Sequence, residues 1–166
     1  MSRRLLAGGA VAVVAVGSIL PTIWETPDFD VPFPCGQTWI GETRTSHNPP
    51  MAIDFNRAGD AGDVVVASAS GTVTFAGDKG GTYGRHVVID HGRGWESRYA
   101  HLSSVLVVGG QVVAEEQPIG EVGNTGVSTG AHLHYEQRYR GRAVRVVFDA
   151  RESPTAGVRA YRRAGC

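Results

Sequence analysis

From Val64 onward the apolar residues come in short runs of valine, isoleucine, threonine and aromatics, broken by glycine rather than recurring at helical spacing. VVVASASGTVTFAG (64–77) predicts two short strands divided near Ser70-Gly71. GRHVVIDHG (84–92) predicts another, with Val87, Ile89 and His91 on one face and His86, Val88 and Asp90 on the other. On that pattern His91 is a structural residue among core-facing side chains, and His86 is exposed. WESRYAHLSS (95–104) follows a turn at 92–94, and the stretch 105–126 strings brief apolar pairs between glycines. HLHYEQRY (132–139) and RAVRVVFD (142–149) complete the set, joined by a turn at Arg140-Gly141-Arg142. No segment sustains a helical period, so the expected fold is all-β.

The two ends of the chain read differently. Residues 1–24 begin with Arg3 and Arg4 and then run apolar or small, as an export signal or an uncleaved membrane anchor does. Either places the remainder outside the cytoplasm, secreted or associated with the cell wall. Residues 25–40, with Pro27, Pro32 and Pro34, form an extended connector. A single domain is expected over 41–150, and 151–166, carrying Arg151, Arg159, Arg162 and Arg163, reads as a solvated C-terminal tail.

Charge narrows the function. Sixteen basic residues balance sixteen acidic ones; loss of the first segment removes two arginines and no acids, giving 14 − 16 = −2. No basic stripe with interleaved aromatics exists, so nucleic acid is not an expected partner. The two cysteines, Cys35 and Cys166, flank the motif region, and in an exported chain an even pair is expected to form a disulfide. Such a bridge would close almost the whole domain, worth about 4–5 kcal/mol in the chain-entropy model.

The chemistry gathers on few residues. In STGAHLHYE (128–136), His132 and His134 are two apart and share a strand face, which Glu136 continues. Upstream, His47 and Asp54 flank a stretch containing Pro49 and Pro50, and Asp54 alternates with Ile53 and Phe55. An aspartate inside an apolar strand is costly unless paired, hydrogen-bonded or metal-bound. Two histidines and one carboxylate, with a fourth position open, make a catalytic zinc site rather than a structural one. No HExxH helix is present, so a general base must come from elsewhere, and His101 in SRYAHLSS is available.

These motifs, above all the VVAEEQPIGEVGNTGVSTGAHLHYE run with GTVTFAG, YGRHVVIDHG and YAHL before it, resemble the lysostaphin/LytM-type zinc endopeptidases of bacterial cell walls. The likeness is dense from His47 to Glu136, although the spacing from His47 to Asp54 is longer than in many members. The resemblance implies antiparallel sheets around an open substrate groove, with one zinc per chain on His47, Asp54 and His134. His101 and His132 match the two active-site histidines that are not ligands. The implied substrates are stem or cross-bridge peptides of peptidoglycan, cut by a monomer. The rival reading is a non-catalytic module on the same fold that binds wall peptide or regulates another hydrolase. Members of that kind lack ligands, whereas all five positions are filled here.

Overall fold

Alternation along IDFN and LHYEQRY puts Ile53, Phe55, Leu133 and Tyr135 on one face of their strands and Asp54, His134 and Glu136 on the other. A computed structural model describes residues 26–163 and contains fourteen strands and no helix among them. In chain order these are β1 (Thr38–Thr43), β2 (Ile53–Asn56), β3 (Val64–Val66), β4 (Gly71–Asp78), β5 (Arg85–Gly92), β6 (Trp95–Leu102) and β7 (Ser104–Val105). There follow β8 (Val112–Val113), β9 (Pro118–Glu121), β10 (Leu133–Tyr139), β11 (Arg142–Val144), β12 (Val147–Phe148), β13 (Arg151–Glu152) and β14 (Gly157–Arg162). The all-β antiparallel architecture is therefore present, and the expected strands with it, except that 142–149 is divided into β11 and β12, which pair with different strands.

The main sheet runs β14-β1-β2-β10-β6-β5-β4-β8, with β11 paired to β10. A small sheet, β3-β9-β7, and the β12-β13 pair complete the fold. The decisive feature is that β10 lies between β2 and β6. Its registers set His134 opposite both Asp54 and Ala100, one residue before His101. Directly opposed residues share a face, so pairing brings Asp54 and His134 together, and the positive φ of His101 breaks the alternation that would otherwise turn its ring to the other face.

The other face of these strands is core. Ile53, Phe55, Tyr99, Leu133 and Tyr135 are fully buried there. The two tyrosine hydroxyls meet Ser68 Oγ, each at 2.8 Å, so neither buried polar group is left unpaired.

Two parts of the chain are more integrated than the sequence pattern indicates. In the connector, Phe29, Val31 and Phe33 are buried, and Phe33 stacks on Trp39 with centroids 3.8 Å apart. In the C-terminal segment, β14 is exposed along most of its length but is hydrogen-bonded to β1 rather than irregular. Arg163 beyond it is buried, with Nε 3.2 Å from Asp30 and 2.6 Å from Glu116. The carboxylates supply the pairing that a buried guanidinium requires.

His86 is buried, against expectation. Its Nδ1–H donates to the Gly84 carbonyl at 2.8 Å, and its ring packs on Phe75 at 4.4 Å. The β-bulge between Val73 and Phe75 shifts the register so that Phe75 covers this face of β5. His91 is structural, bonded to the Ser70 carbonyl and to Ser97 Oγ. Residues 1–24, where an export signal or anchor is expected, and Cys166 lie outside the described residues. No free cysteine and no helix long and apolar enough to cross a membrane occur among those described.

Candidate metal centre and active site

Asp54 is the hub. Its Oδ2 lies 2.9 Å from His47 Nε2, and its Oδ1 lies 3.1 Å from His134 Nδ1 and 3.6 Å from His132 Nε2. Strands β2 and β10 supply Asp54 and His134; the loop between β1 and β2 supplies His47. The three donor atoms of His47, Asp54 and His134 lie within 4.8 Å of one another.

The hydrogen bonds show which nitrogen of each ring is free. His134 Nε2 faces Glu136 Oε1 at 3.2 Å, and a carboxylate only accepts, so Nε2 carries a proton. Satisfying Asp54 as well would require a second proton on Nδ1, hence a buried imidazolium between two carboxylates. A cation held by Nδ1 and Asp54 removes that requirement. His47 is set likewise, with Nδ1 3.4 Å from the Ala52 carbonyl and Nε2 toward Asp54. Two neutral imidazoles and one carboxylate, with second-sphere acceptors behind the histidines, fit a zinc ion.

Charges agree with that arrangement. Burial works against ionised Asp54, but without a metal, hydrogen bonds from His134 and His47 outweigh it and hold the carboxyl far below its ordinary range, and a cation on the same atoms would keep it ionised in their place. Glu136 is fully enclosed, yet bonds from His134 and Tyr83 and the nearby Arg98 guanidinium bring it down to about 2. Arg138 adds a 3.0 Å contact to Glu136 Oε2. Glu136 is thus an ionised acceptor fixed behind His134.

His101 and His132 are held in another way. His101 Nδ1–H donates to the Thr125 carbonyl at 2.8 Å, and His132 Nδ1–H to the Gly130 carbonyl at 2.9 Å. Each ring therefore keeps an Nε2 lone pair, and the two centroids are 4.7 Å apart. Burial lowers the His101 pKa to about 4, so this imidazole is neutral at neutral pH. His101 also has a positive φ of 64°, sterically strained for a non-glycine residue, with its N–H bonded to the Tyr83 carbonyl at 2.9 Å.

The carbonyls that hold these rings belong to the glycine-rich segment. A Cβ on Gly123 would clash with the backbone of Ser103, and one on Gly126 with the backbone of Gly84. The glycines let residues 123–130 pack directly on the end of β6 and on the loop carrying Tyr83. Thr125 locks this contact through Oγ1–H to the Leu102 carbonyl at 2.8 Å.

All five sequence-predicted site residues thus line one cleft of about 310 Å³, together with Tyr83, Arg44, Asn48 and Ser128. Tyr83 and the Thr125 carbonyl had no signal of their own in the sequence. Tyr83 sits in the YGRHVV run, where nothing marks it individually as a site residue.

Comparison with known proteins gives a consistent answer. The DD-carboxypeptidase/endopeptidase Mpg of Neisseria meningitidis is 50% identical over 102 residues, 61% of this chain and 23% of that relative. A zinc-containing peptidase from Vibrio cholerae has a solved structure similar at TM-score 0.57 and 29% identity, over 71% of this chain and 39% of the other. The catalytic domain of the antimicrobial peptidase lysostaphin from Staphylococcus simulans is similar at TM-score 0.54 and 28% identity, over 70% of this chain and 84% of that domain. The chain spans less than a quarter of the length of the curated relatives it matches. Residues 49–146, which carry Asp54, His101, His132 and His134, match peptidase family M23 over more than half of the chain, and the protein belongs to that family.

Proposed function

We propose that the protein is a zinc endopeptidase that cuts peptide bonds of bacterial cell-wall peptidoglycan outside the cytoplasm. The observation that carries the reading is the convergence, in one cleft, of the His47–Asp54–His134 donor set with two further histidines whose Nε2 atoms are free. The names of the relatives support the substrate class.

Zinc bound by His47, Asp54 and His134 supplies Lewis acidity at the scissile carbonyl and can lower the pKa of a water to about 7. The neutral His101 Nε2 then takes a proton from the attacking water, with the Thr125 carbonyl fixing its tautomer. His132, after taking a proton from solvent on its free Nε2, stabilises developing negative charge on the carbonyl oxygen or delivers that proton to the departing amine; the Gly130 carbonyl and Ser128 Oγ hold its ring. Glu136 keeps His134 oriented and Arg98 and Arg138 keep Glu136 ionised, so the donor side undergoes no proton change during turnover. The Cys35–Cys166 bridge, the export role of residues 1–24 and a monomeric state complete the proposal.

A wall-binding or regulatory module has no use for His101 and His132 beside a complete donor set. The deciding experiment digests purified sacculi of several chemotypes with zinc-loaded protein and identifies new amino termini by mass spectrometry. New termini in the peptide moiety are expected, and none in any chemotype would leave the binding module as the function.

A further inference from the structure

Beyond the histidines and Asp54, one charged side chain lines the cleft among the described residues. Arg44 lines the main compartment of about 310 Å³ and also an adjoining one of about 110 Å³. The two compartments share Arg44, Asp54, Thr129 and His132, so a peptide passing through both must cross the reacting centre beside Arg44. Among the described residues, no other guanidinium or ammonium group lines either compartment.

The position of Arg44 follows from the sheet. Glu42 on β1 is registered directly opposite Asp54 on β2, as Asp54 is opposite His134 on β10. The three side chains therefore form a row on the cleft face. Glu42 Oε2 accepts from Arg44 Nη2 at 2.7 Å and draws the arginine back over that row from its place in the following loop. Among the described residues only Nη2 is engaged, and the rest of the guanidinium fork remains available, with half of the side chain exposed to solvent. An exposed ion pair of this kind is weak, so it orients the fork without occupying it. A guanidinium offering two parallel N–H groups selects a carboxylate over a neutral amide.

We propose that Arg44 is a specificity residue that binds a free carboxylate on the residue next to the scissile bond. The substrate class is then a stem-peptide crosslink through a diamino acid, which carries such a carboxylate, rather than an uncharged glycine bridge. This deepens the peptidase reading and rests on it.

The test uses two crosslinked peptide dimers that differ only in whether the diaminopimelate carboxyl beside the crosslink is free or amidated. Zinc-loaded wild type is expected to favour the free acid by about tenfold in kcat/KM, the worth of one charge-assisted contact. In Arg44→Gln that ratio should fall toward one, and Arg44→Lys should recover part of it, with zinc content and melting temperature as checks on folding. Equal cleavage of both dimers by wild type, or an undiminished ratio in Arg44→Gln, overturns the inference while the peptidase reading stands. Binding to His101→Ala, measured by calorimetry, separates the two claims. Preference for the free acid there, with no cleavage by wild type, would sink the peptidase and keep the carboxylate site; binding that ignores the carboxyl, or no binding, would sink the site.

Discussion

Asp54 and His134 are held by strands and by charge, whereas His101 and His132 are held by two backbone carbonyls of a glycine-rich loop. The first side contains two ionised carboxylates, Asp54 and Glu136, with Arg98 and Arg138 behind them. The second contains imidazoles fixed through Nδ1–H, with no charged group in that support. The division matches the two tasks proposed for these residues. Holding a dication requires permanent negative charge and a rigid frame, while moving protons requires a group whose charge can change. The two sides should therefore fail separately.

The largest effects test that separation directly. Asp54→Ala and His134→Ala should each lose most of the zinc, and cell-wall hydrolysis should fall to background. His101→Ala and His132→Ala should retain near-stoichiometric zinc by elemental analysis yet lose about 10²- to 10⁴-fold in turnover, the usual worth of acid–base assistance. Loss of zinc from His132→Ala would move His132, 3.6 Å from Asp54, to the metal-holding side. Near-wild-type turnover by His101→Ala would remove it from the chemistry.

A smaller effect is expected one sphere out. Glu136→Gln preserves an acceptor for His134 Nε2 but removes the charge that Arg98 and Arg138 neutralise. Zinc affinity should fall about 10- to 100-fold, while turnover at saturating zinc should fall much less. Competition with a chelator measures the first and a sacculus assay at excess zinc the second. A turnover loss that excess zinc does not relieve would show that Glu136 also serves the reaction side.

The loop side has its own structural control. Gly123→Ala places a methyl group against the backbone of Ser103, where no flexible side chain can yield. Displacement of residues 123–130 should cost about 1–3 kcal/mol of stability and loosen the carbonyls that orient His101 and His132. Turnover should drop more than zinc content, opposite to Glu136→Gln. A variant that loses zinc first would mean the loop also braces the donor set.

How much of this was legible beforehand depends on how local each signal is. Strand periodicity carried the alternation of Asp54, His134 and Glu136 against Ile53, Phe55, Leu133 and Tyr135, because period two is written residue by residue. The meeting of β2 with β10 was not readable in that way; pairing across about eighty residues is a property of topology, and only family resemblance supplied it. The positive φ of His101 leaves no trace in composition, since it is imposed by Tyr83 and Thr125 from elsewhere in the chain. Arg163 looked like tail charge because its partners, Asp30 and Glu116, are distant in sequence. The glycines at 123 and 126 were visible as turn residues, yet their purpose is close approach to Ser103 and Gly84.

His86 gives the smallest expected effect, and it lies outside both sides of the centre. Burial lowers its pKa below 6.5, with Arg98 and Lys79 acting in the same direction against the Gly84 carbonyl and Asp78. The unfolded chain therefore binds this proton more readily than the folded one, and the neutral ring favours the folded state. That contribution is complete above about pH 6.5 and is lost as pH falls through the lower folded pKa. His86→Gln can still donate to the Gly84 carbonyl but cannot titrate or stack on Phe75. At pH 7.5 the variant should melt below wild type, and the gap should narrow as pH drops toward 5, by no more than about 1.4 kcal/mol per pH unit for one proton. The difference between two zinc-loaded proteins cancels the acid release of metal common to both. A gap that stays constant across this range would mean that His86 contributes packing alone, and a widening gap would mean that it is protonated in the fold.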